Sequence, residues 1–127
     1  MRFNALIRTH HITSRKKVGA LKRAADTHSC WVLLRSGGCP GIMYVEGSTQ
    51  DDVGSWVDVV RRLRYKDFQL VARPGPLVKE SKNDTSSRDT ADRPGLSEVD
   101  SVKEFGNIME QKGIWGWWRK AMGYAGE

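Results

Sequence analysis

Residues 2 to 72 alternate between two hydrophobic periods in a fixed order, and that order restricts the fold more than any other property of the chain. Phe3, Ala5 and Ile7 recur at every second position among Asn4, Leu6 and Arg8. This is the period of a strand with one well-buried face, so we read Arg2 to His11 as a first strand. Thr13 or Ser14 can then cap a helix with Val18, Leu21 and Ala25 on one side and Arg15, Lys16, Lys17, Lys22 and Arg23 on the rest. Cys30 to Leu34 and Gly41 to Glu46 are apolar runs on either side of the turn-forming Ser36-Gly37-Gly38-Cys39-Pro40, the pattern of a hairpin. A second amphipathic helix follows the cap candidates Gly47 to Asp52, with Val53, Trp56, Val57, Val60 and Leu63 at three-and-four spacing. Phe68 to Ala72 makes a fourth strand, which Arg73-Pro74-Gly75-Pro76 ends.

Strand, helix, strand, strand, helix, strand is the split βαβ pattern of an α+β, ferredoxin-like sandwich, here expected over residues 1–75. Two right-handed crossovers would put both helices on one sheet face. Residues 76–98 are rich in Ser, Thr, Asp, Lys and Pro with few large apolar groups to offset their ordering entropy, and read as a flexible linker. Residues 99–127 form a C-terminal amphipathic helical segment: Val102, Phe105 and Met109, then Trp115, Trp118 and Met122, recur at helical spacing, interrupted by Gly106, Gly113 and Gly116. This segment can cap the open face of the sheet. It can also offer Trp115, Trp117 and Trp118 to a protein partner, and Lys112, Arg119 and Lys120 beside these rings permit a membrane-surface reading.

The net charge of +6 is unevenly spread, with 13 Lys/Arg against 6 Asp/Glu in residues 1–75. Such a positive field favours polyanions. Topology sharpens it: the end of strand one, the start of helix one, the hairpin and the end of helix two should emerge together. That gathers His10, His11, Arg15, Lys16, Lys17, Arg35, Arg61, Arg62, Arg64 and Lys66 at one end, and Asp26, Glu46, Asp51 and Asp52 at the other. The first turn of helix one adds unpaired N–H groups, an anion site. No apolar run approaches the length of a membrane span, and the N-terminus shows no secretion signal. The two cysteines are therefore expected as free thiols, and the location as nucleus or cytoplasm.

Adjacent strand residues face opposite ways, so His10 and His11 should divide between a structural role and a ligand-contacting one. Protonation of these rings would strengthen a grip on phosphate at lower pH. A single zinc site built from His10, His11, Cys30 and Cys39 is rejected, because Cys30 and Cys39 should stand roughly 20 Å or more apart at the two ends of strand two. We expect no metal, no cofactor and no catalysis; an acylphosphatase-like enzyme would need a phosphate-cradling loop after strand one, which His10-His11-Ile12-Thr13 does not resemble.

His10-His11-Ile12, the basic run Arg15 to Lys17, Pro40-Gly41-Ile42, Val45-Glu46-Gly47, Trp56 and Leu63-Arg64-Tyr65-Lys66 together resemble the C-terminal domain of the splicing protein pre-mRNA-processing factor 3. The same domain follows an RWD domain in other proteins. The resemblance covers residues 2 to 73 and implies a ferredoxin-like fold and contact with spliceosomal small nuclear RNA. Cys39 stands where the family commonly has lysine, and Tyr65 where tryptophan is usual. The resulting expectation is a non-enzymatic RNA-binding domain that grips phosphates through Arg8, His10, His11, Lys16, Lys17, Arg35, Arg62 and Lys66, with Tyr44 or Tyr65 stacking on a base if exposed. The alternative is a protein-interaction module docking through the Trp-rich C-terminal segment.

Overall fold

The computed structural model describes residues 1–80 and 93–124. The chain is α+β, and the described residues form four helices and one mixed five-stranded sheet in the order β4-β1-β3-β2-β5. The strands are β1 (Phe3–Thr9), β2 (Trp31–Arg35), β3 (Gly41–Gly47), β4 (Gln69–Pro76) and β5 (Gly95–Val99). The helices are α1 (Arg15–Thr27), α2 (Gln50–Arg62), α3 (Val102–Gln111) and α4 (Trp115–Met122). Strand β1 lies antiparallel between β3 and β4, β2 is antiparallel to β3, and β5 is parallel to β2.

Each sheet face has its own core. Ala5, Ile7, Val32, Leu34, Met43 and Val45 point toward α1 and α2, where they meet Leu21, Val53, Trp56 and Val60. Trp56 is fully buried yet satisfied, because its indole N–H donates to the Leu21 carbonyl at 3.1 Å. Both helices begin on side-chain caps: the Ser14 hydroxyl accepts from the Lys17 N–H, and the Thr49 hydroxyl from the Asp52 N–H. The alternate residues of the same strands, Leu6, Leu33, Ile42 and Tyr44, point the other way and are covered by Phe105, Met109, Ile114, Trp118 and Met122 of the C-terminal helices.

Those helices are two rather than one. Gly113 takes a left-handed φ of +79°, which ends α3 and turns the chain into α4. Ser101 and Glu104 form a reciprocal capping box on α3. Residue Ile114 makes no side-chain cap on helix α4, and Glu80, in the stretch that follows β4, supplies one, accepting from the Gly116 and Trp117 N–H groups at 3.0 and 2.6 Å.

Three boundaries differ from the sequence reading. Strand β1 stops at Thr9 rather than His11, because His10 bends the chain away. Strand β4 continues through Arg73-Pro74-Gly75-Pro76, which had been expected to end it; β4 is an edge strand, where proline's missing N–H costs no ladder bond. The stretch expected as a linker, 76–98, holds Glu80 at one end and β5 at the other, while residues 81–92 lie outside the described residues. Leu96 and Val99 each pack against a core, and ladder bonds to β2 satisfy the backbone, which together outweigh the polar composition.

Candidate functional site

The register explains why distant residues share one end of the sheet. Thr9 pairs with Gly41, Arg8 pairs with both Ile42 and Gln69, and Arg35 also pairs with Ile42, so the last residues of β1 and β2 and the first of β3 and β4 stand level. Beyond β1 the backbone of His10 joins the two neighbouring loops. Its N–H donates to the Lys66 carbonyl at 3.0 Å, and its carbonyl accepts from the Gly41 N–H at 3.1 Å. Gly41 is close-packed here, because a Cβ would run into the Thr9 and Ile12 side chains. An open groove of about 560 Å³ results, lined among others by Arg8, His10, Cys39, Asp67 and Gln69.

The cations expected at this end arrive there in different conditions. Arg8 is half-buried in the groove wall, while Lys16, Arg62, Arg64 and Lys66 are exposed. None of these five makes an ion pair among the described residues. Lys17 instead sits over the Tyr65 ring, its ammonium 5.0 Å from the centroid. Arg35 is a structural clamp: its guanidinium donates to the Asp100 and Pro40 carbonyls at 3.0 and 2.9 Å, tying the hairpin loop to the end of β5. Arg15 is bidentate to Glu98 at 3.1 and 2.7 Å, and Ser36 donates to the same carboxylate at 2.7 Å. The hydrogen bond from Arg15 holds the Glu98 carboxyl below the ordinary range despite partial burial, and Glu98 in turn raises Arg15. Glu98 could not be foreseen at this end, because it arrives on β5, in a stretch that reads as linker.

Both stacking candidates need correction. Tyr44 is fully buried at the centre of the sheet, beneath Trp31 and Trp117. Its hydroxyl donates to Glu46 at 2.7 Å and accepts from Asn4 at 3.2 Å, and burial next to Glu46 pushes its pKa well up. Tyr65 is only 8% exposed in the α1–α2 core, and burial raises its pKa to about 12. Neither ring offers a face to a base. Of the three tail tryptophans, Trp118 is buried and stacks on Phe105 with ring centroids 5.8 Å apart, and Trp117 is half-buried edge-on to Tyr44. Trp115 is 42% exposed under the Arg119 guanidinium. The tail spends its large rings on the second core, so a partner would find only Trp115 of the three well exposed.

The histidines depart from the expected alternation. They follow the strand rather than belong to it, so both rings lie together, edge to face at 4.2 Å between centroids. Cys39 joins them across the loop, its sulfur 3.8 Å from His10 Nδ1. The same nitrogen is 3.4 Å from an Asp67 carboxylate oxygen. Cys30 belongs elsewhere: it is buried at the opposite end of β2, and burial raises its thiol pKa to about 12. Distance thus separates Cys30 from the group, yet the other three residues weighed for zinc do meet. A site of those three needed loop geometry that residue spacing does not carry.

No protein-family model matches the sequence, and no curated protein matches it. Among solved structures the chain is similar to BlsA in its photo-activated state, with 9% identity and a TM-score of 0.56 over 91% of this chain and 81% of that one. At such identity the likeness concerns the fold alone.

Proposed function

We propose that this chain is a non-enzymatic RNA-binding domain that grips backbone phosphates at the end of the sheet where β1 finishes. The observation that carries the reading is that Arg8, Lys16, Arg62 and Lys66 share this end without an acidic partner among the described residues. Arg64 joins the set, while Lys17 and Arg35 are assigned to holding the rim together. Covered as it is by α3 and α4, the sheet face cannot stack bases in the manner of an RNA-recognition motif, which leaves the rim as the RNA contact.

The finer fold assignment is part of the same proposal. The order β1-α1-β2-β3-α2-β4 with strand neighbours β4-β1-β3-β2 supports a ferredoxin-like sandwich extended by β5, α3 and α4. That arrangement, with His10-His11-Ile12 and Pro40-Gly41-Ile42 meeting at one rim, favours kinship with the C-terminal domain of pre-mRNA-processing factor 3, and with it a small nuclear RNA or pre-mRNA as ligand in the nucleus or cytoplasm. Labelled single-stranded and duplex RNA titrated at several salt concentrations tests the reading. Five phosphates of a single strand gripped by these five cations predict a slope of log affinity against log salt of about −3.5. Absence of binding at low salt overturns it.

A further inference from the structure

The cluster of His10, His11 and Cys39 has a chemistry that phosphate binding does not use. One ligand-capable atom from each lies within 4.8 Å of the other two. We propose that these three side chains form a binding site for a single zinc ion, with the fourth position open to Asp67 or solvent.

The residue types suit the ion, since imidazole and thiolate are the usual zinc donors, and three protein ligands plus one open position is a recurrent arrangement. The spacing suits it as well. Tetrahedral bonds of about 2.3 Å to sulfur and about 2.1 Å to nitrogen hold the two donors about 3.6 Å apart. Cys39 Sγ and His10 Nδ1 are 3.8 Å apart, so a small closing movement suffices. Asp67, whose carboxylate stands 3.4 Å from the same nitrogen, is near enough to supply the fourth oxygen.

The backbone makes the site preorganised. His10 is hydrogen-bonded through its N–H to the loop that carries Asp67 and through its carbonyl to the start of β3, directly after Cys39 and Pro40. Arg35 fixes the same loop through the Pro40 carbonyl. The three ligands come from two separate stretches of chain and Asp67 from a third, yet each stretch is tied to a neighbour before any ion arrives. His11 and Cys39 are exposed, which gives the ion a way in.

Cobalt(II) titrated into the full-length reduced chain, without nucleic acid, tests this independently of RNA binding. The expected result is a one-to-one complex with a thiolate-to-cobalt absorption band that zinc abolishes. Loss of a supporting residue near a metal typically costs 10–100-fold in affinity, so Cys39→Ser and His11→Ala, which remove direct ligands, should each cost about 100-fold or more. Cys30→Ala should leave the band unchanged. A second measurement needs no variant: stoichiometric zinc should slow alkylation of Cys39 by at least about tenfold, because the thiolate is both the nucleophile and the ligand. No thiolate band, a band that survives Cys39→Ser, or an alkylation rate indifferent to zinc overturns the proposal.

Discussion

Where β1 begins, Glu46 is buried and meets Arg2 and Lys112 at 3.1 and 3.2 Å, with the Tyr44 hydroxyl donating to it and Lys112 resting 4.0 Å from the Trp31 ring centroid. Where β1 ends, Arg8, Lys16, Arg62 and Lys66 line a rim with no acidic partner among the described residues. The same sheet therefore carries one charge cluster closed inside the protein and another left facing water. A buried cluster is satisfied internally and specifies how the C-terminal helices seat on the sheet. An exposed cationic cluster has its strongest available partner outside the molecule. That difference, rather than net charge, is the argument for a ligand at the second end.

The largest effect should come from breaking the closed end. Glu46→Ala removes the carboxylate that pairs with Arg2 and Lys112 and the acceptor for Tyr44; losing one partner of a buried pair costs about 3–5 kcal/mol, readable as a lower denaturant midpoint. Glu46→Gln keeps an acceptor for Tyr44 and should lose less. At the open end, Gly41→Ala forces a methyl group against Thr9 and Ile12 and should cost about 1–3 kcal/mol by the same assay.

Alkaline pH probes the buried groups as a set. Burial raises Cys30 from 9.0 to about 12 and Tyr65 from 10.0 to about 12, and raises Tyr44 well above 10.0. Above pH 9 the unfolded chain loses these protons before the folded chain does, so the folded state binds more protons and stability must fall as pH rises toward 12. Chemical denaturation at a series of pH values should show a decline that begins near pH 9. Rim cations change little by comparison: Lys16→Gln with Lys66→Gln should move stability by no more than about 0.5 kcal/mol, since both side chains are exposed and unpaired among the described residues.

The two ends were also unequally legible in the sequence. The period-two run in β1, the apolar runs of β2 and β3 on either side of turn residues, and the three-and-four spacing in α1 and α2 placed most of the elements, because those faces are buried. Since strand register follows from those elements, the gathering of Arg8, Lys16, Arg62 and Lys66 could be reasoned out. Strand β5 could not, since only Leu96 and Val99 in a polar stretch signal it, and with it went Glu98 and the neutralisation of Arg15. Tyr44 could serve as a stacking residue only if exposed, and the tail helices cover the sheet face on which it lies. His10, His11 and Cys39 meet through loop backbone bonds, which no hydrophobic period encodes.

The proposed RNA grip, and whether it depends on the position of the cations or on total charge, is tested by one comparison of salt slopes for single-stranded RNA. Lys16→Gln with Lys66→Gln and Lys22→Gln with Arg23→Gln each remove two positive charges from exposed residues, the first pair at the rim and the second along the outer face of α1. The account predicts that the rim pair lowers the slope by about 1.4, at about 0.7 for each phosphate no longer neutralised, while the helix pair leaves it unchanged. Equal effects from the two pairs, or no effect from the rim pair, would contradict it.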